Sequence, residues 1–299
     1  MTQLEILKWT CFIYGPIFGV AIVITLLARN TGWGRNMTQA ITSWFVIFIL
    51  FIGTAFFGPE AVAVLVVPIA ILAMREYYKH AGVCGRDVLV PAAALIIVSA
   101  FALATGRQKL FYYMPVLASI VLLVIRMFYR PVDGFVKSGG LRVFGFLYWG
   151  WCPLYFIQVN RLADGFGGVI FLCSMIALND NTAYYVGKLL GKNSPKLAPK
   201  ISPNKTWVGF LGGTIATLLC APIFGYALPH VSLSSRLMIA AFIACSIPMG
   251  DLIESAMKRD MGIKDSGSLI PGHGGVMDRF DSWCFTAPIF YILMELLQK

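Results

Sequence analysis

The 299-residue sequence predicts an all-α, polytopic integral membrane protein, and three observations support that class. Charged residues make up only 13% of the chain and hydrophobic ones 58%, whereas a soluble domain carries roughly 25% charged residues. Mean hydropathy is +0.76. Apolar runs near the length of about 20 residues that a bilayer-crossing helix needs recur along the whole chain.

Ten such runs can be counted, at 9–28, 41–57, 61–77, 88–104, 110–128, 142–159, 167–187, 209–228, 235–254 and 283–297. The first follows Lys8 and has no small-residue cleavage site behind it, so it reads as a span and not as a signal peptide. The third is cleanly apolar only from Ala61 to Met74. Runs two and three are therefore either separate crossings or a hairpin around Gly58-Pro59-Glu60, and the expected count is nine or ten. Arg75 and Glu76, at the end of run three, read as an interfacial anchor or a local pair, and Arg126 as a snorkelling cation. The first 160 residues otherwise hold little chemistry. They form an N-terminal membrane region (1–160), followed by a C-terminal region (161–299) interrupted by two long polar segments, 188–208 and 255–282.

Both polar segments fall on one side of the alternation. That side collects 18 Lys and Arg against 6 on the other, a positive-inside bias that places the two loops in the cytoplasm and both termini outside. The net charge of +10 is thereby accounted for by orientation, and no nucleic-acid partner is expected. The seven cysteines are scattered without C-x-x-C spacing, so neither a disulfide framework nor a zinc site is indicated.

Chemistry concentrates in three clusters. In "NDNTAYYVGKLLGK" (179–192), Asp180 lies near the end of an apolar run. A carboxylate at the bilayer centre costs about 2.5–3.5 kcal/mol on insertion scales and marks a functional site; the alternative is an interfacial cap on the following turn. Gly187 and Gly191 suit close helix packing. In "KLAPKISPNKTWVG" (196–209), Pro199 and Pro203 hold the chain extended or turned. Lys200, Ser202, Lys205 and Thr206 supply donors suited to phosphate, or equally a basic surface for anionic lipid.

The third cluster runs from "GDLIES" (250–255) through "KRDMGIKDSGSLIPGHGGVMDRFD" (258–281). Asp251, Glu254, Ser255 and Lys258 recur at helical spacing, which puts them on one face. Six of the 14 acids lie between Asp251 and Asp281, interleaved with Lys258, Arg259, Lys264 and Arg279. The glycines at 267, 272, 274 and 275 let backbone N–H groups approach a phosphate. Carboxylates hold Mg²⁺, which takes one or two of them together with substrate phosphates and water, and the cations neutralise charge on a transferring phosphoryl group. The ingredients are those of metal-assisted phosphoryl or nucleotidyl transfer at a membrane surface, with Asp251 and Asp278 as the expected metal ligands. His273, between two glycines, reads as ordering the loop or contacting phosphate and not as a base.

These residues resemble the signature of phosphatidate cytidylyltransferases, the CDP-diacylglycerol synthases. Ser255, Lys258, Arg259, Lys264, Asp265, Gly267, Ile270, Pro271, His273, Gly274, Gly275, Asp278, Arg279 and Asp281 meet the fixed positions of S-x-x-K-R-x4-K-D-x-[GSA]-x2-[LIF]-[PG]-x-H-G-G-x-x-D-R-x-D. Asp180, Ala183, Tyr184, Gly187 and Gly191 match D-x-x-A-Y-x-x-G-x-x-x-G, and the stretch from Ser202 to Gly209 matches S-P-x-K-T-W-E-G except that Val208 replaces the Glu. The resemblance covers roughly 175–285.

It implies a reaction of CTP with phosphatidic acid to give CDP-diacylglycerol and pyrophosphate with Mg²⁺, a second cation being left open. Asp251 and Asp278 would hold the metal. Lys258, Arg259 and Lys264 would act on phosphates beside Asp265, while Asp180, Tyr184, Ser202, Lys205, Thr206, Ser255, His273, Gly274, Gly275, Arg279 and Asp281 would bind substrate. Membrane lipid and a homodimer are the implied partners. The expected location is a bacterial inner (cytoplasmic) membrane with the active site facing the cytoplasm. Two alternatives stand beside this reading: a transporter or ion pathway through Asp180 and Asp251, and a paralogue that acts on another lipid phosphate or has lost activity through Val208.

Overall fold

A computed structural model describes residues 1–28, 32–267 and 274–297; the side chains at 21, 22, 24–28 and 32–44 fall outside that description. The helices are α1 (Gln3–Ala28), α2 (Gly32–Phe57), α3 (Pro59–His80), α4 (Arg86–Ala104), α5 (Gln108–Tyr129), α6 (Phe135–Gly145), α7 (Tyr155–Asn160), α8 (Gly165–Leu190), α9 (Trp207–Cys220), α10 (Leu233–Asp260) and α11 (Met277–Leu297). Among the described residues the only strands are β1 (Lys196–Ala198) and β2 (Ser202–Thr206), an antiparallel pair between α8 and α9. The chain is an all-α membrane protein carrying one small hairpin.

Six described helices, α3, α4, α5, α8, α10 and α11, are long and apolar enough to cross a membrane. Two shorter apolar stretches, the part of α2 at Phe45–Phe57 and α9, fall below that length, so among the described residues six crossings are counted where nine or ten are expected. Two of the sequence runs are interrupted. The run at 142–159 becomes α6, a π-helical stretch at Phe146–Trp151, a 3-10 turn at Cys152–Leu154 and α7. Pro153 lacks the N–H that a continuous helix would use, and the chain passes so close to Ile96 and Met74 that a Cβ at Gly150 would press on both. The run at 209–228 stops at Cys220, ahead of Pro222. Runs two and three, in contrast, are two helices joined through Gly58, whose φ of 106° suits glycine alone, with Pro59 opening α3 where its missing N–H costs nothing.

Large apolar side chains such as Phe12, Val64, Phe128 and Leu219 point outward, at 69–76% exposure. A soluble protein would hide surfaces of this kind, and hydrocarbon accommodates them. Arg126 does not snorkel. It is buried and donates to Ser138 Oγ and to the carbonyls of Pro131 and Asp133, so it ties the α5–α6 turn together.

Two close crossings position the polar centre. α8 and α9 meet through glycine: a Cβ at Gly209 would lie 2.7 Å from the Ala183 carbonyl oxygen and 3.2 Å from Gly187 Cα, and one at Gly191 would press on the Thr206 side chain. α10 and α11 meet at Gly250, where a Cβ would lie 2.8 Å from the Asp281 carbonyl oxygen and 2.9 Å from Ser282 Cα. That contact brings the residue after Gly250, Asp251, against the first turns of α11.

Candidate functional site

Asp251 is the hub where the two remote polar segments meet. Its Oδ2 takes a 2.6 Å hydrogen bond from Lys205 Nζ of β2, and its Oδ1 takes one of 2.6 Å from Ser282 Oγ of α11. The Asp281 carboxyl lies within hydrogen-bonding reach of the same group. Asp180, in the interior of α8, is within electrostatic reach of both Asp251 and Lys205. Because α8 continues for ten residues beyond it to Leu190, Asp180 does not cap a helix end, and the capping alternative falls.

A cavity of about 630 Å³ opens over this centre. Among its walls are Asn179, Asp180, Tyr184, Asn204, Lys205, Thr206, Asp251, Asp278, Arg279 and Asp281. The carboxylates come from α8, α10 and α11, and the lysine from the hairpin. Acidic side chains converge on one cavity, which does not favour an ion pathway threading the remaining spans.

A second knot adjoins the first. Asp278 accepts Lys258 Nζ at 2.9 Å on Oδ1, while Oδ2 accepts the Ser266 N–H at 2.9 Å, the Ser266 hydroxyl at 3.0 Å and the Gly275 N–H at 2.8 Å. Lys258 also pairs with Glu254 Oε1 at 2.8 Å, one turn back on α10, as the helical spacing of the sequence predicts. Gly274 at φ 84° turns the chain into this cradle, and a side chain there would collide with the Asp278 carboxylate.

The other expected residues are more dispersed. Thr206 is buried, and its hydroxyl caps α9 by accepting the Gly209 N–H at 3.1 Å. Ser202 pairs in register with Ala198 in the hairpin, as Pro199 and Pro203 lead one to expect of an extended segment, and it does not line the cavity. Ser255 on α10 is half-buried outside the cavity wall. Arg259 is exposed and donates to the Ile201 carbonyl at 3.4 Å, tying α10 to the hairpin. Lys264 and Asp265 are exposed beyond α10, and Tyr184 is 60% exposed with Lys188 Nζ 5.7 Å from its ring centroid. Ile270, Pro271, Gly272 and His273 lie outside the described residues. Val208, where the resemblance expects Glu, donates its N–H to Ser194 Oγ at 3.2 Å and is half-buried.

Sequence reasoning passed over three partners. Glu76 and His80 of α3 reach the loop before α11: Glu76 Oε2 accepts the Ser266 hydroxyl at 3.1 Å and the Met277 N–H at 3.0 Å, and His80 Nε2 lies 2.6 Å from the Ser266 carbonyl oxygen. Ser282 is the third. Glu76 is thus neither a surface anchor nor a local pair with Arg75, and no local pattern announces contacts that span 190 and 201 residues.

The donor set suits a hard divalent cation. The Asp251 and Asp281 carboxyls lie within hydrogen-bonding reach of each other, with the Lys205 ammonium 2.6 Å from Asp251; two carboxyls this close need a shared proton or nearby positive charge to be stable. Among the described residues, no three His, Cys, Asp or Glu side chains converge as a closed metal cage. Mg²⁺ does not require one, because it keeps waters and substrate phosphates as ligands. Asp278 lines the same cavity; its oxygens accept hydrogen bonds from Lys258, Ser266 and Gly275, as those of Asp251 do from Lys205 and Ser282.

A family model described as the cytidylyltransferase family matches residues 38–297, which includes every element that builds the site. The chain belongs to the cytidylyltransferase family. Within that family, it is 32% identical over 289 residues to a phosphatidate cytidylyltransferase of Mycobacterium leprae, covering 88% of this chain and 89% of the relative. It is 44% identical over 155 residues to a phosphatidate cytidylyltransferase of Bacillus subtilis, but that match spans 56% of the relative and 50% of this chain. Similarity is also extensive to the Escherichia coli protein YnbB, at 30% over 300 residues, 93% of this chain and 96% of that one. The family match extends well before the signature segment and takes in α3, the helix that supplies Glu76.

Proposed function

We propose that the chain is a membrane phosphatidate cytidylyltransferase that joins CTP to phosphatidic acid, giving CDP-diacylglycerol and pyrophosphate for phospholipid biosynthesis. The observation that carries this reading is the single cavity in which the hairpin lysine, Lys205, meets the carboxylates of Asp180, Asp251 and Asp281. Family membership and the names of the Bacillus and Mycobacterium relatives support the substrate pair.

In the reaction, an oxygen of the lipid phosphate attacks the α-phosphorus of CTP. A new P–O bond forms, the bond to the bridging oxygen breaks, and pyrophosphate leaves. The lipid phosphate is already ionised at neutral pH, so the chain needs to supply no strong base. The family implies Mg²⁺, which when bound would supply positive charge to the nucleotide phosphates. Asp251 and Asp281 are the residues to hold it, with Asp180 beside them and Asp278, the second ligand expected from sequence, in the same wall. Lys205 and Arg279 face anionic oxygens from the cavity wall; Lys258, steadied by Glu254 and Asp278, Arg259 and Lys264 supply further positive charge around it. Tyr184 and Thr206 shape the wall on the α8 side.

The reading places the protein in a bacterial inner membrane with this cavity on the cytoplasmic face, nine or ten crossings counting the interrupted ones, and a homodimer as the assembly. Purified protein given phosphatidate, CTP and Mg²⁺ is expected to release pyrophosphate in step with CDP-diacylglycerol. Absence of turnover across a panel of lipid phosphates would refute the assignment.

A further inference from the structure

Among the carboxylates that meet the signature loop, Glu76 belongs to a helix more than a hundred residues away from the other chemistry. Its Oε2 receives the Ser266 hydroxyl and the Met277 N–H. Ser266 in turn donates both its N–H and its hydroxyl toward Asp278 Oδ2, so one hydroxyl proton lies between two carboxylates. One turn along α3, His80 Nε2 meets the Ser266 carbonyl oxygen at 2.6 Å. Both polar ends of the Ser266 backbone and its side chain are therefore held, from α3 on one side and α11 on the other.

The glycines beside the loop fit this contact closely. A Cβ at Gly275 would lie 2.5 Å from Glu76 Oε2, and one at Gly267 would lie 3.1 Å from Glu76 Oε1. Two glycines that from sequence alone read as room for a phosphate are, in the folded chain, room for Glu76. Ser266 is 2% exposed and Met277 fully buried, so neither donor has water as a ready substitute, and a donor left unpaired there is costly.

We propose that Glu76 is a positioning residue for nucleotidyl transfer. It fastens Ser266 and the start of α11, so that Asp278, Arg279 and Asp281 are presented to the cavity in one arrangement; the claim rests on the reaction assigned above. Glu76 touches neither substrate nor reacting atom. It acts through Ser266, as outer partners of active-site ligands do.

The test is a double-mutant cycle read by two independent measurements. Glu76→Ala is expected to reduce kcat/KM for CTP by about 10–100-fold, chiefly through kcat, and Glu76→Gln, which keeps an acceptor oxygen, to fall between wild type and Glu76→Ala. Ser266→Ala should lose activity as well, and Glu76→Ala should cost much less on that background than on wild type, the non-additivity of residues in one network. Amide hydrogen exchange at Ser266, Gly275 and Met277 should rise in Glu76→Ala, whatever the substrate. If Glu76→Ala cannot be purified folded, the Glu76→Gln and Ser266→Ala pair carries the same cycle.

Additive losses, or a Glu76→Ala protein with wild-type exchange at these amides, would overturn the proposal. A wild-type protein without turnover, but with loop exchange raised by Glu76→Ala, would sink the assigned reaction and leave the fastening intact.

Discussion

Asp251→Asn is expected to abolish pyrophosphate release, lowering kcat by roughly 10²–10³ or more, the scale on which a single preorganised electrostatic group acts. The substitution is nearly isosteric, but it removes the negative charge that pairs with Lys205 at 2.6 Å and accepts Ser282 at 2.6 Å. It leaves Asp281 as the nearer anionic group for a cation and Lys205 without its counter-ion. The α10–α11 crossing is set by the neighbouring Gly250, so the fold should survive, with an unchanged elution profile and melting temperature in detergent. Wild-type turnover in this variant would remove Asp251 from the reaction.

Asp278→Ala is expected to damage stability as much as activity. Asp278 and Lys258 form a pair whose side chains are 9% and 13% exposed, and the same carboxylate receives two backbone N–H groups and a hydroxyl. Removing one member of a buried pair costs roughly 3–5 kcal/mol, because the other is left uncompensated. Here Glu254 still neutralises Lys258, which places the expected loss near the lower end, at about 3 kcal/mol. Thermal unfolding monitored with turnover should show both falling together. Asp278→Asn, which keeps one acceptor oxygen, should recover part of the stability. A melting temperature equal to wild type in Asp278→Ala would contradict the cradle described above.

Much of this arrangement was legible in the chain because its causes are local. Gly58-Pro59 announces a helix break by φ freedom and a missing donor. Pro199 and Pro203 announce an extended or turned segment, which the structure pairs into a hairpin. The four-residue step from Glu254 to Lys258 announces a pair that the structure places at 2.8 Å. What the sequence could not display is contact between distant segments. Glu76 looks like any acid near a span end until α3 packs beside the loop before α11. Asp278 and Asp281, three residues apart on α11, both face α10: Asp281 comes within reach of Asp251, while Asp278 pairs with Lys258 farther along α10, and no spacing rule fixes which residue of α10 each acid meets. The interruption at 146–154 is invisible to a hydropathy count, because its residues are as apolar as those of a continuous span; Pro153 and the close approach of Gly150 to Ile96 and Met74 accompany the π and 3-10 turns.

The central claim is that a hairpin between α8 and α9 and the junction of α10 with α11 make one nucleotide site. Equilibrium binding of CTP to the detergent-solubilised protein, with and without Mg²⁺, tests it most directly when wild type is compared with Lys205→Ala and Asp251→Asn. Mg²⁺-dependent binding should be present in wild type and weakened at least about tenfold by either change, since each removes one side of a charge pair that is half-buried in the cavity wall. CTP binding at wild-type strength in Lys205→Ala, with loss only in Asp251→Asn, would separate the hairpin from the site and contradict the account.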